Sequence, residues 1–292
     1  MQLVINAFIA GSLAALIAGG LAFVYGILGV FNLALGQIAL IGGYTTWWLY
    51  QVHSVPLPVS IICGMAFGAL VSWLIFEVFI NPFYKRHRFL PLVTTIALSM
   101  ILDAVILMVF RERPRSILPG VKEQISGFGI TISPVQIVMI CTTLVFLFLL
   151  AYFLHSTSFG RKIRAVTQND IAASSLGIRS GLMHRIIFII SGVLAAAGGI
   201  YIGIDTSLTP VLAFSLTIKA YAAIIAGGKG NIWGAILCAY LISLLEQFAI
   251  GVHWFGTFYI SAGYQQTVAL LVIILFLLWK PNGLFVSSSR KA

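Results

Sequence analysis

Apolar residues in this chain come in runs long enough to cross a lipid bilayer, separated by short polar breaks. A helix rises about 1.5 Å per residue, so a run of roughly 18–20 apolar residues spans the hydrocarbon core. Runs of this kind cover 7–28, 57–80, 89–110, 131–154, 186–204 and 263–279. Three weaker segments join them. Segment 33–50 has Asn32, Gly36 and Gln37 around its start, while 213–228 and 231–249 flank the sequence AGGKGNIWGA. The pattern predicts an all-α polytopic membrane protein of about eight or nine transmembrane or partly re-entrant helices. Segments 33–50 and 213–228 are the weakest, and residues 1–292 read as a single membrane domain.

One stretch breaks the pattern. SFGRKIRAVTQNDIAASSLGI, residues 158–178 within a loop over 155–185, has the composition of a soluble protein. It reads as one or two short helices, the second capped by Asn169 or Asp170 and stopped at Gly177. Ala172, Ala173 and Ser175 give that helix a small-residue face, with Arg161, Lys162 and Arg164 beside it. A plain basic connector needs neither an alanine pair nor a glycine stop, so the stretch reads as a docking helix.

Composition fixes the solvent. The chain is 60% hydrophobic and 8% charged, with a mean hydropathy of +1.07. Soluble domains carry about a quarter charged residues, so lipid surrounds most of this one. The net charge of +10 then reports topology rather than a nucleic-acid partner. With 155–185 in the cytoplasm and nine crossings, Lys85, Arg86, Arg88, Arg161, Lys162, Arg164, Arg179, Arg185, Lys229, Lys280, Arg290 and Lys291 lie inside. Arg111, Arg113, Arg115 and Lys122 lie outside. The bias puts the N-terminus outside and the C-terminus inside. The first apolar run lacks a signal peptide's basic region and cleavage site and reads as a retained span.

No catalytic or metal-binding constellation emerges. His53, His87, His155, His184 and His253 fall at segment ends or in loops, without metal spacing. AGGKGN at 226–231 lacks the spacing and the Ser/Thr of a phosphate-binding loop. The expectation is a non-enzyme with no cofactor of its own; any ATP would be bound by another subunit. Cys63, Cys141 and Cys238 read as small packing residues.

Ionisable residues inside spans are costly and are candidates for function. Asp103, Lys219 and Glu246 lie within segments, whereas Glu77 and Asp205 sit where they reach the interface. Candidates for a translocation path are Asn32, Gly36, Gln37, Lys219, Gly227 and Gly228. A buried ion pair, or amides repairing a broken helix, accounts for these residues as well. Two glycine-rich bends, around 26–43 and 226–235, occupy similar places in the two halves and hint at an internal repeat.

The spacing in IAASSLG, Ala172-Ala173 and then Gly177, resembles the EAA loop of ABC importer permeases. The wider set resembles the branched-chain amino acid permease family of the LivH type. It comprises LAFVYGILGVFNLALGQIALIGGY (21–44), LPLVTTIALSMIL (90–102), SFGRKIRAVTQNDIAASSLGI, LTIKAYAAIIAGGKGNIWGAILCAYLISLLE (216–246) and KPNGLF (280–285). These blocks stand in family order over nearly the whole chain.

The resemblance implies a multi-pass permease subunit in a bacterial inner membrane. It would pair with a second related permease, two ATP-binding subunits and a periplasmic solute-binding protein. The family carries leucine, isoleucine and valine, and its relatives carry urea, short amides or other amino acids. Residues 170–177 would be the coupling helix seated on the ATPase, with Arg161, Arg164, Asp170, Ala172, Ala173 and Gly177 at the contact. Three positions depart from the family. Ile171 stands where it has an acid, and Leu35 and Gln37 stand where it has histidine and an acid. The alternative is a secondary transporter or facilitator acting alone, which the scarcity of intramembrane acids disfavours; a membrane-embedded transferase would need a denser polar cluster.

Overall fold

A computed structural model describes residues 2–84, 89–119, 125–127, 130–228, 230–251, 267, 270–271, 274, 278 and 283–285. Helix α1 (Gln2–Leu28) precedes a short α2 (Leu35–Trp47), which ends in a π-helical turn over Trp48–Val52. Helix α3 (Leu57–Tyr84) widens into a π turn over Phe76–Ile80. Pro82 follows that turn and has no N–H for the preceding carbonyls, which is the physical reason for the local unwinding. Next come α4 (Leu90–Phe110) and α5 (Pro134–Ser156), with a two-stranded hairpin between them, β1 (Ile125–Gly127) and β2 (Ile130–Ile132). Helices α6 (Ser158–Gln168) and α7 (Asp170–Ser175) form the polar island. The chain continues through α8 (Ser180–Asp205), α9 (Leu212–Gly227) and α10 (Ile232–Gly251).

The expected runs therefore become helices, with shifted ends. The run 131–154 starts three residues late because Ile130–Ile132 pairs as a strand. Ser133 then donates its backbone N–H to Gln136 Oε1 and Pro134 opens α5. Helices α1, α3, α4, α5, α8 and α10 are long and apolar enough to cross a membrane, while α9 is shorter. Candidate 263–279 lies outside the described residues apart from helical positions 267, 270, 271, 274 and 278. The basic residues at 85–88, with Lys122, Lys229, Lys280, Arg290 and Lys291, lie outside them too.

Burial sorts the spans into two shells. In α1 and α8, 78% of the central window is buried; in α4 and α5 only 22% is. The outer helices thus present apolar side chains such as Met108 and Phe148 outward, as lipid or a membrane partner requires. Cys63 and Cys141 belong to that exposed surface, so of the three cysteines only Cys238 packs as expected.

The inner helices meet through a seam of small residues. Gly42 and Gly68 face Ala196, Gly43 and Gly199 approach each other, and Gly192 faces Ser72. In lipid no hydrophobic force drives helices together, so close backbone approach and dispersion contacts carry the packing. The seam joins α2 and α3 to α8.

The helix pairings repeat. Helix α1 packs on α10 as α8 packs on α3, α2 packs on α8 as α9 packs on α1, and α2 packs on α3 as α9 packs on α10. Helices α1 and α8 form the central pair. They run antiparallel: Gln2, opening α1, donates to the Thr131 carbonyl at 2.9 Å, and nearby Gln136 donates to Asp205, closing α8, at 2.9 Å. The units α1–α2–α3 and α8–α9–α10 are therefore an inverted pair. This corrects the sequence reading, which matched bend 26–43 with bend 226–235. The equivalent connections are 29–34 and 206–211, because the repeat is set by which helices pair and not by where glycines cluster.

Candidate functional site

Helices α6 and α7 build one candidate surface. Thr157 Oγ1 accepts the Gly160 N–H at 3.0 Å and starts α6. Gly160, Ile163 and Val166 are buried, and Gly160 lies against the carbonyls of Phe153 and Leu154 at the end of α5. The Arg164 guanidinium also donates to the Leu154 carbonyl, while Arg161 and Lys162 stay exposed. Asn169, not Asp170, caps α7: its Oδ1 accepts the Ala172 N–H at 3.0 Å. The stop has the Schellman pattern, with Ile178 N–H donating to the Ala173 carbonyl and Gly177 N–H to that of Ser174. Gly177 has φ +83°, in the left-handed region.

The alanine pair is split between two sides. Ala173 is buried against the body, while Ala172 is exposed. The most prominent groups on α7 are apolar: Ile171 is 81% exposed and Leu176 82%. Sequence reasoning treated Ile171 only as a departure from an acidic position, yet with Leu176 it is one of the two most exposed apolar groups of the helix.

A second candidate is an open cavity of about 470 Å³ between α1, α8, α9 and α10, with a mostly apolar lining into which a few charged and polar groups project. It lies toward the face opposite α6 and α7, with Asn6, Gln136 and Asp205 near that end. Lys219 of α9 and Glu246 of α10 meet in it, Nζ to Oε2, at 2.8 Å. The Glu246 side chain is 1% exposed and that of Lys219 22%, so the ammonium fronts the carboxylate. Sequence reasoning marked both residues but not their pairing, and it sent Asp205 to the interface. The turn at 206–211 folds α9 back beside α8 and turns Asp205 toward the cavity.

The other path candidates lie outside this cavity. Asn32 and Gln37 are fully buried. Asn32 Oδ1 accepts the Ala34 N–H at 3.2 Å, and Gln37 Nε2 donates to both Asp103 oxygens at 3.1 Å. Gly36 donates to Thr217 Oγ1 at 3.0 Å, and its missing side chain leaves room for the Ala213 carbonyl. Gly227 packs on the Gly234 backbone, and Gly228 turns the chain with φ +101°. Of the six, only Lys219 lines the cavity. Glu77 is paired with Arg185 at 2.8 Å. Among the described residues, no group of three or more His, Cys, Asp or Glu could hold a metal ion.

Residues 3–277 match the family described as "Branched-chain amino acid transport system / permease component". The chain belongs to this family. It is a multi-pass inner-membrane protein of a transport permease family. The high-affinity branched-chain amino acid transport system permease protein BraD of Pseudomonas aeruginosa is 32% identical, covering 97% of this chain and 95% of its own. The permease protein LivH of Escherichia coli K12 is 27% identical over 97% and 94% of the two chains. In fold, the permease is similar to PsaBC from Streptococcus pneumoniae, solved in complex with Fab. The TM-score is 0.51 at 12% identity, over 95% of this chain and 91% of that one.

Proposed function

We propose that this chain is the membrane-spanning permease subunit of an ABC importer for branched-chain or related amino acids. It forms one permease domain over residues 1–292 and works beside a second related permease, two ATP-binding subunits and a periplasmic solute-binding protein. ATP is bound and hydrolysed on the partners, and this chain holds no cofactor. Helix α7 is the coupling element, seated in a groove of an ATP-binding subunit. Arg161 and Arg164 lie beside the contact, Asp170 and Ala172 lie within it, and Ala173 seats the helix on the body beneath it.

One observation carries this reading: α7 presents Ile171 and Leu176 almost fully exposed while its backbone is tightly capped and stopped. A six-residue helix anchored at both ends with its apolar groups outward suits a rigid lever better than a loose connector. Gly177 provides the test, because a side chain there meets open space but must adopt φ +83°. A β-branched residue in that conformation costs about 1–2 kcal/mol, a factor of roughly 5–30 in the ratio of formed to unformed turn. Gly177→Val should therefore cut leucine uptake and transport-linked ATPase, by at most about that factor, at normal membrane levels. Gly177→Asn should retain more, since asparagine tolerates the left-handed region. Unchanged uptake in Gly177→Val would remove the coupling role.

A further inference from the structure

We infer that the side of α4 carrying Asp103 is the docking surface for the second permease, and that Asp103 selects this partner against a second copy of the same chain. The inference rests on the two-permease reading above and adds the surface and the residue that choose the partner.

Asp103 is out of place on an outer helix. It stands between Leu90 and Phe110, and at about 1.5 Å per residue it lies roughly 10 Å from the nearer end of α4. An aspartate side chain, unlike that of lysine or arginine, is too short to reach the headgroups from that depth. Its carboxylate accepts from Gln37 Nε2, 3.1 Å from each oxygen, and among the described residues no cation pairs with it. One neutral amide is thin compensation for a carboxylate in hydrocarbon, and further acceptor sites remain on its oxygens.

The carboxylate also interrupts an exposed apolar stripe. Ile96, Met100, Asp103 and Leu107 follow at helical spacing, which puts them on one side of α4. Met100 is 69% exposed, Ile96 41% and Leu107 42%, with Asp103 half-buried among them. Along the adjoining edge the helix is fixed to the body. Thr95 Oγ1 donates to the Phe31 carbonyl at 3.2 Å, and Phe110 stacks on Tyr44 with ring centres 4.2 Å apart. The stripe is thus held in place, as a docking surface requires. Lipid suits its apolar members but offers the carboxylate no donor. A protein surface with a hydrogen-bond donor at this depth suits both.

Charge decides which protein. Two identical chains related by an axis along the membrane normal bring α4 against α4 at equal depth, so Asp103 meets Asp103. Facing carboxylates repel and supply acceptors without donors. A related chain of different sequence can place a donor there, and Asp103 then favours the mixed pair.

The test uses the whole transporter in native membranes, with separate tags on this chain and on the second permease. The photoreactive p-benzoylphenylalanine replaces Met100 in one chain and, in another, Phe148 of α5, which is equally exposed at 69%. On irradiation the Met100 position should cross-link to the second permease, and the Phe148 position should not. Gln37→Met/Asp103→Leu removes both polar partners and strands neither, so the chain should keep its membrane level. Its pairing with the second permease, titrated in detergent, should weaken by about tenfold to a hundredfold, the usual loss of a charge-assisted hydrogen bond. Cross-links between two copies of this chain should appear in their place. Asp103→Asn still presents an acceptor and should keep most of the pairing. The surface is overturned if Met100 cross-links to a second copy of this chain or to no protein. It is overturned too if the double variant pairs with the second permease as tightly as wild type. The two-permease reading falls with it if this chain and its ATPase take up leucine undiminished after the second permease is deleted. If the second permease co-purifies and Met100 misses it, the surface alone falls.

Discussion

A Gly199→Leu chain fails to assemble its inner helices. Gly199 of α8 faces the Ala39 carbonyl of α2 so closely that even one added methyl group overlaps it, and that neighbour is backbone, which cannot rotate away. Relief requires separating α2 from α8, which also opens the contacts of Gly43 with Gly199 and of Gly42 with Ala196. Overpacking a tight core costs about 3 kcal/mol at the high end, and here no flexible side chain absorbs it. Size-exclusion chromatography in detergent should show aggregate or no recoverable protein. Gly181 stands near the start of the same helix with nothing within 4 Å of an added Cβ, so Gly181→Ala should behave as wild type. A Gly199→Leu protein with wild-type elution and heat resistance would mean the seam is not the determinant of packing.

Glu246→Leu has an effect of comparable size. The Glu246 carboxylate is buried at 1% exposure and meets the Lys219 ammonium at 2.8 Å. Removing one partner of a buried pair strands the other charge, which costs about 3–5 kcal/mol. The expected result is a steep loss of heat resistance in detergent and of steady-state membrane level. Replacing both partners, Lys219→Met/Glu246→Leu, should restore most of that stability, because well-packed apolar groups often substitute for a buried pair without loss. Equal stability of the single and double variants would show that the charge is solvated rather than buried.

These two sites show where sequence reading succeeds and where it stops. Lys219 and Glu246 stand out in the sequence because charges are rare in apolar runs, yet nothing in their separation of 27 positions says that they touch. They meet because α9 and α10 pack side by side around the turn that brings Gly227 against Gly234. Asp205 is similar: its position at the end of a run suggests an interface residue, and only the return of α9 makes it a cavity wall. Asn32 and Gln37 were equally conspicuous, and only the fold shows that Asn32 Oδ1 meets the turn before α2 and Gln37 Nε2 meets Asp103, while Asn32 Nδ2 and Gln37 Oε1 stay buried without a hydrogen-bond partner among the described residues.

By itself, the sequence determined the lipid environment, the positions of most spans and the Gly177 stop of α7, and it narrowed the cap of α7 to Asn169 or Asp170. Each of these depends on composition or on contacts within a few residues, which a linear reading captures. Only the tertiary structure decided which glycines meet, which acid faces Lys219, and that α1–α2–α3 repeats inverted as α8–α9–α10. The physical reason is that membrane helices are apolar nearly all round, so no polar stripe marks which face turns inward. Helix rotation and partner choice are then set by close backbone approach at small residues and by a few buried polar pairs, and both exist only once the helices are side by side.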